Sequence, residues 1–134
     1  MLYHAHSGLR YLVLLSACAA LIGLTHALAT GRTSRAARVL PVAFTGLLDL
    51  QLLLGIGLVI GGMFTDAVAG HMVIMTIAVA VAHGSAVVAR RATTDRRELI
   101  VRLGGAVFTI AIILGGILAL GRSIFGSAPP TAIG

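Results

Sequence analysis

The 134-residue chain is 58% hydrophobic and 10% charged, with a mean hydropathy of +1.05. That composition excludes an ordinary soluble globule and leaves room for one membrane-embedded domain, 1–134. The ten basic residues are all arginine, against four acids, for a net charge of +6. They cluster between apolar runs, where they act as topology signals and contacts for lipid headgroups rather than as a face for phosphate backbones, so nucleic acid is not an expected partner.

Four stretches reach the roughly 20 apolar residues that a spanning helix needs, at 7–29, 39–62, 70–89 and 99–121. The N-terminal stretch "MLYHAHSGLR", which runs into the first, lacks a basic n-region and a cleavage site, so no signal peptide is read and this run is expected to stay in the mature protein. The lone Cys18 lies within it, which excludes an internal disulfide framework and suggests a small packing residue. The connection "ATGRTSRAAR" carries Arg32, Arg35 and Arg38. Helix two has Pro41 in its expected first turn, where a missing N–H is tolerated, and "LLDLQLLLG" places Asp49 and Gln51 near mid-bilayer. After the "GGMFTDAVAG" turn, helix three opens near His71. "RRATTDRRE" adds Arg90, Arg91, Arg96 and Arg97, and Asp95 with Glu98 has the form of a capping box for helix four. "APP" stops the chain from continuing as helix.

Both arginine-rich connections are expected to face the cytoplasm. The expected architecture is therefore an all-α, integral-membrane, up-down-up-down four-helix bundle, N-out and C-out, in a bacterial cytoplasmic (inner) membrane, with Arg10 and Arg122 at the outer edges. Gly46, Gly55, Gly57, Gly104, Gly105, Gly115 and Gly116 are small residues of the kind that let helices approach closely in lipid. The few aromatic anchors and many small aliphatics predict self-association or packing against a larger membrane complex.

Ionisable groups inside a bilayer are costly, and so mark functional sites by default. The topology sorts the histidines into two levels: His4 or His6 with His71 on the outer side, and His26 with His83 toward the inner side. Facing imidazoles at one depth can hold a b-type haem. At ~100° per residue, however, His71 and His83 lie about 120° apart on helix three, and His6 and His26 on nearly opposite faces of helix one. Two stacked haems are thus disfavoured, and a single one is allowed. His4 and His26 read as interfacial anchors. His83, inside "IAVAVAHGSAVV", must find a partner. Asp49 and Gln51, two apart, point to different faces; Asp49 fits a proton relay, a carboxylate orienting a ligating histidine, or a neutral hydrogen-bonded carboxyl. Arg10 suits a haem propionate or a lipid phosphate, or snorkels to the interface. No zinc spacing, catalytic triad, phosphate loop or dinucleotide fingerprint is present, so no stand-alone enzyme chemistry is read.

"HAHSGLRYLVLL", "LQLLLGIGLVI" and "GHMVIMTIAVAVAHGS" resemble segments of small bacterial four-helix membrane proteins labelled cytochrome b-like, and more loosely of SirB-type four-helix membrane proteins. The resemblance covers helices one to three. It implies that His6, His71 and His83 form a polar pattern with Arg10 and Gln51, and that haem b is the cofactor. The pattern carries a histidine just before "QLLLG" where this chain has Asp49, which puts a haem ligand from helix two in doubt. Three functions follow in order of expectation: membrane electron transfer through a haem held by His6 and His71 between helices one and three, a cofactor-free accessory or scaffold subunit, and a proton-handling or transport bundle.

Overall fold

The computed structural model describes residues 1–119 as four α-helices: α1 (Leu2–Thr30), α2 (Arg35–Ile60), α3 (Asp66–Arg90) and α4 (Asp95–Ala119). All four are long and apolar enough to cross a membrane. The expected end of helix four at 121, the "APP" stop and Arg122 lie outside the described residues. Each helix begins about one turn before its apolar run does. In the last three helices the added turn is held by a hydroxyl cap that hydropathy does not register.

Side-chain oxygens open the last three helices. Ser34 Oγ accepts the Ala37 N–H at 3.2 Å, Thr65 Oγ1 accepts that of Val68 at 3.3 Å, and Thr94 Oγ1 accepts that of Arg97 at 3.3 Å. Each satisfies an amide that would otherwise have no partner in the first turn. Two expectations are corrected by these starts. The cap of α4 is Thr94, not Asp95, and Glu98 instead pairs one turn on with Arg102, at 2.8 Å. Pro41 falls inside α2 rather than in its first turn, and the Thr45 hydroxyl donates to the Pro41 carbonyl at 3.0 Å. Gly31 ends α1 with φ 65°, a left-handed conformation that costs glycine nothing.

Short connections at 31–34, 61–65 and 91–94 make successive helices antiparallel. The N-terminus and the α2–α3 turn share one end of the bundle, and the two arginine-rich connections share the other. α1 packs along α2 and α3 along α4, the two hairpins meet through α1 with α4 and α2 with α3, and of these neighbouring pairs α2 and α3 touch least.

The buried seam repeats with a heptad period. On α1 it runs Val13, Ala17, Ala20, Leu24 and Ala27, steps of four and three that keep one stripe turned inward in left-handed packing. Phe44, Leu48 and Gln51 continue it on α2, with Met75, Ala78 and Ala82 on α3 and Ala106, Thr109 and Ile113 on α4. Alanine recurs because backbones must come close where lipid offers no hydrophobic drive for association. Cys18 is exposed, off this stripe, which corrects its reading as a core residue.

Only some of the glycines are contact residues. A Cβ on Gly105 would collide with the Ser85 Cβ and Oγ of α3, whereas one on its neighbour Gly104 would meet nothing within 4 Å. Gly105→Ala is therefore expected to cost about 1–3 kcal/mol through overpacking, lowering the thermal midpoint in detergent, while Gly104→Ala leaves it unchanged or raises it. Adding Ser85→Gly to Gly105→Ala should recover most of the loss; equal midpoints for the two alanine variants would contradict this packing.

Candidate functional site

The polar side chains of the membrane-spanning region gather at two stations. At the N-terminal end of the bundle, all four helices line a cavity of about 70 Å³ that includes His6 and Arg10 of α1, Gln51 of α2 and His71 of α3. Gln51 is buried, and its amide Nε2 donates to the His6 carbonyl at 3.0 Å and lies 3.3 Å from His6 Nε2. An amide nitrogen only donates, so His6 Nε2 is the acceptor of that contact. Across the cavity, His71 Nδ1 donates to the Gly116 carbonyl at 3.2 Å. The Arg10 guanidinium bonds the Tyr11 hydroxyl at 3.0 Å and lies 4.9 Å from the centroid of the same ring.

Glycine makes room for both imidazoles. A Cβ at Gly55 would stand 3.2 Å from His6 Cε1, and one at Gly116 would lie 2.9 Å from Ile74 Cγ2 and 3.6 Å from His71 Nδ1. These two glycines are ring seats, unlike the neighbouring Gly115, where a Cβ would meet nothing within 4 Å.

The second station joins α2 to α3. His83 Nε2 lies 3.0 Å from Asp49 Oδ1 and 3.1 Å from Oδ2. Asp49 is about 16 Å of helix from Ile60, and His83 about 10 Å from Arg90, so the pair is deep in the spans. It is not on the bundle axis: the side chains are 54% and 39% exposed, and both line a groove of about 290 Å³ walled by residues of α2, α3 and α4. Ser85, Arg90, Arg102 and Thr109 also line it.

The structure thus brings His6 and His71 to one cavity, and places Asp49 and Gln51 at different stations. His83 meets Asp49 rather than His26. His26 is exposed, with its carbonyl accepting the Thr30 hydroxyl at 2.9 Å, and exposed His4 packs edge-on against Tyr3 at 5.6 Å. Thr109 was not singled out by the sequence reading; its signal was a lone hydroxyl inside "GGAVFTIAIIL".

The first station meets a haem on chemistry but not on space. Donation from His71 Nδ1 to a carbonyl is the way proteins orient a metal-binding imidazole. A cavity of about 70 Å³ is nevertheless well below the roughly 300–1,000 Å³ of small-molecule sites, and iron ligation through His6 Nε2 would displace Gln51. As packed, these residues do not fit a porphyrin. Among the described residues, no three His, Cys, Asp or Glu side chains group closely enough to hold a metal ion by themselves.

Comparison with protein-family models, with curated proteins and with solved structures finds no match for this chain. Geometry is what distinguishes its sites. Gln51 ties α1 to α2 through a buried amide, so Gln51→Leu is expected to destabilise the bundle by about 1–2 kcal/mol, read as a lower melting midpoint. Leu53→Ala on the exposed face of the same helix serves as the neutral control, and a Gln51→Leu midpoint equal to wild type would contradict the tether.

Proposed function

We propose that the chain is a multi-pass protein of a bacterial cytoplasmic membrane, with its arginine-rich connections inside, that handles protons within the bilayer at the Asp49–His83 pair. The observation that carries this reading is the contact of one imidazole nitrogen with both oxygens of one carboxylate, at 3.0 and 3.1 Å. A lone ionised carboxylate at this depth would cost about 2.5–3.5 kcal/mol. Paired, the two groups are jointly neutral in either of two forms, carboxylate with imidazolium or carboxylic acid with imidazole, which differ only in the place of one proton. His83 Nδ1, the ring nitrogen not engaged by Asp49, is the atom through which a proton can enter or leave from the groove. Both side chains line the groove of about 290 Å³ and are partly exposed, which gives the pair a way to exchange protons with its surroundings.

Proteoliposomes under a potassium diffusion potential test this directly. Interior acidification is expected to fall more than about tenfold, the scale of losing a positioned proton carrier, in Asp49→Asn and in His83→Phe, and to persist in His4→Ala and His26→Ala. Equal flux in all four variants and in protein-free vesicles would overturn the proposal.

The electron-transfer reading, with membership of the cytochrome b-like group, is favoured by one observation, the His71–Gly116 bond, and opposed by the size of the cavity. An absorption spectrum separates the two. Protein expressed with ample haem is expected to show no Soret band; a Soret band with sharp reduced α and β bands, lost in His6→Ala or His71→Ala, would establish the cytochrome instead. The scaffold reading rests on outward-facing aliphatics such as Leu15, Ile22 and Val73, which any lipid-facing surface shares.

A further inference from the structure

The groove that holds Asp49 and His83 shares a wall with a second cavity. That cavity, of about 300 Å³, lies at the arginine-rich end of the bundle and is lined by Thr33 and Arg38 on one side and by Asp95, Glu98 and Arg102 on the other. It spans the starts of α2 and α4, helices that are not a closely packed pair. Ala37 and Leu99 also line it, and both belong to a buried cluster with Leu24 and Ala27, so apolar packing closes the bundle axis beneath it. Among the described residues, Arg102 alone lines both this cavity and the groove.

Depth puts these groups in series. Arg90 and Asp95 flank the connection 91–94, with His83 seven residues before the one and Arg102 seven after the other. Both are therefore about 10 Å into the spans and level with each other. Glu98 lies one turn nearer the helix end and draws the guanidinium back toward it, since Arg102 Nε and Nη2 both donate to Glu98 Oε1 at 2.8 Å. The Glu98 side chain is 38% exposed and that of Arg102 17%, which sets the carboxylate in the mouth and the guanidinium behind it. A guanidinium keeps its protons, whereas a carboxylate can take one up and pass it on. The way past Arg90 offers no such group: Arg90 is a cation with Nε turned on the Ala86 carbonyl at 3.3 Å, and Asp49 is the only acid on the groove's lining among the described residues.

We infer that Glu98 is the residue through which the Asp49–His83 pair exchanges protons with the arginine-rich end of the bundle, and that Arg102 is the partition it opens. A proton from the mouth adds to the Glu98 carboxylate, which then releases Arg102. The Glu98 hydroxyl gives that proton through water in the groove to His83 Nδ1, and Glu98, again a carboxylate, closes on Arg102. The receiving form of the pair is the Asp49 carboxylate with a neutral imidazole whose hydrogen is on Nε2; the product is the same carboxylate with imidazolium. No other bond changes, and release runs the same steps backward. The inference rests on the reading of Asp49–His83 as a proton-exchanging pair.

Acidification of proteoliposomes holding the full chain, under a potassium diffusion potential, tests the route. Glu98→Gln still accepts from Arg102 but carries no proton, and is expected to lower flux about tenfold, while Glu98→Asp keeps most of it. Arg102→Ala removes the partition and leaves the carboxylate, so its flux is expected to match or exceed wild type; Arg90→Gln is expected to match it. Melting midpoints of all four variants should equal that of wild type, because a partly exposed pair one turn apart adds little to stability. A merely structural ion pair would respond alike to the loss of either partner. Equal losses in Glu98→Gln and Arg102→Ala, a Glu98→Gln loss that tracks a lowered midpoint or is shared by Glu98→Asp, unchanged flux in Glu98→Gln, or a loss in Arg90→Gln instead would overturn this assignment alone, where Asp49→Asn still stops the flux. Wild-type flux no greater than that of protein-free vesicles, or indifferent to Asp49→Asn, would overturn the proton reading and this route with it.

Discussion

The bundle depends on how closely its helices can approach. In water, apolar faces are driven together; in hydrocarbon, a leucine gains nothing by leaving lipid for protein, and association rests on contact and on the few polar groups that find partners. The seam answers that constraint with Ala17, Ala20, Ala27, Ala78 and Ala82, each nearly inaccessible, and with Gly105 set against Ser85 of the neighbouring helix. Larger residues face outward. Leu15, Ile22, Leu53 and Val73 are exposed, an inversion of the soluble pattern that becomes ordinary once the solvent is lipid.

This arrangement also decides where polar atoms can be accommodated. Two residues of α2 show the effect. Gln51 lies on the seam with Phe44 and Leu48, and so is buried and reaches α1. Asp49, two positions earlier and about 200° around the helix, leaves the seam on the flank where α3 stands farther off, and meets His83. One short segment therefore supplies a structural tether to the interior and an ionisable group to the groove. Helical period makes the division, and chemistry suits it, because a carboxylate has fewer ways than an amide to be neutral and satisfied on a crowded axis.

Much of this architecture was legible in the chain. Hydropathy located four spans, and short connections gave their antiparallel order. What hydropathy missed was the first turn of each helix, because it measures the bilayer rather than the backbone; for the last three helices the hydroxyls of Ser34, Thr65 and Thr94 were the available signal. The seam was hidden for a related reason. When every face is apolar, polarity no longer marks the buried side, and only the heptad recurrence of small residues does. The polar sites were half legible. His83 inside an apolar run called for a partner, and Asp49 was the nearest unexplained charge, but depth alone suggested His26, which α1 turns outward. Thr109 was invisible because a threonine can usually satisfy its hydroxyl on its own helix, as Thr76 does with the Met72 carbonyl at 2.8 Å.

Close packing also bears on which of the two stations has room for a ligand. At the axis, glycine at 55 and 116 lets two imidazoles enter between helices, but the space gained is consumed by the rings themselves, and about 70 Å³ is left. Widening it to admit a porphyrin would separate the alanine contacts that hold α1 to its neighbours, since backbones fixed at close distance cannot part locally without losing contacts on both sides. The flank between α2 and α3 carries no such restriction. Of the neighbouring pairs these helices touch least, and the carboxylate–imidazole pair between them stays 39% and 54% exposed. A bundle tight along its axis and looser along one flank keeps its free volume beside the Asp49–His83 pair.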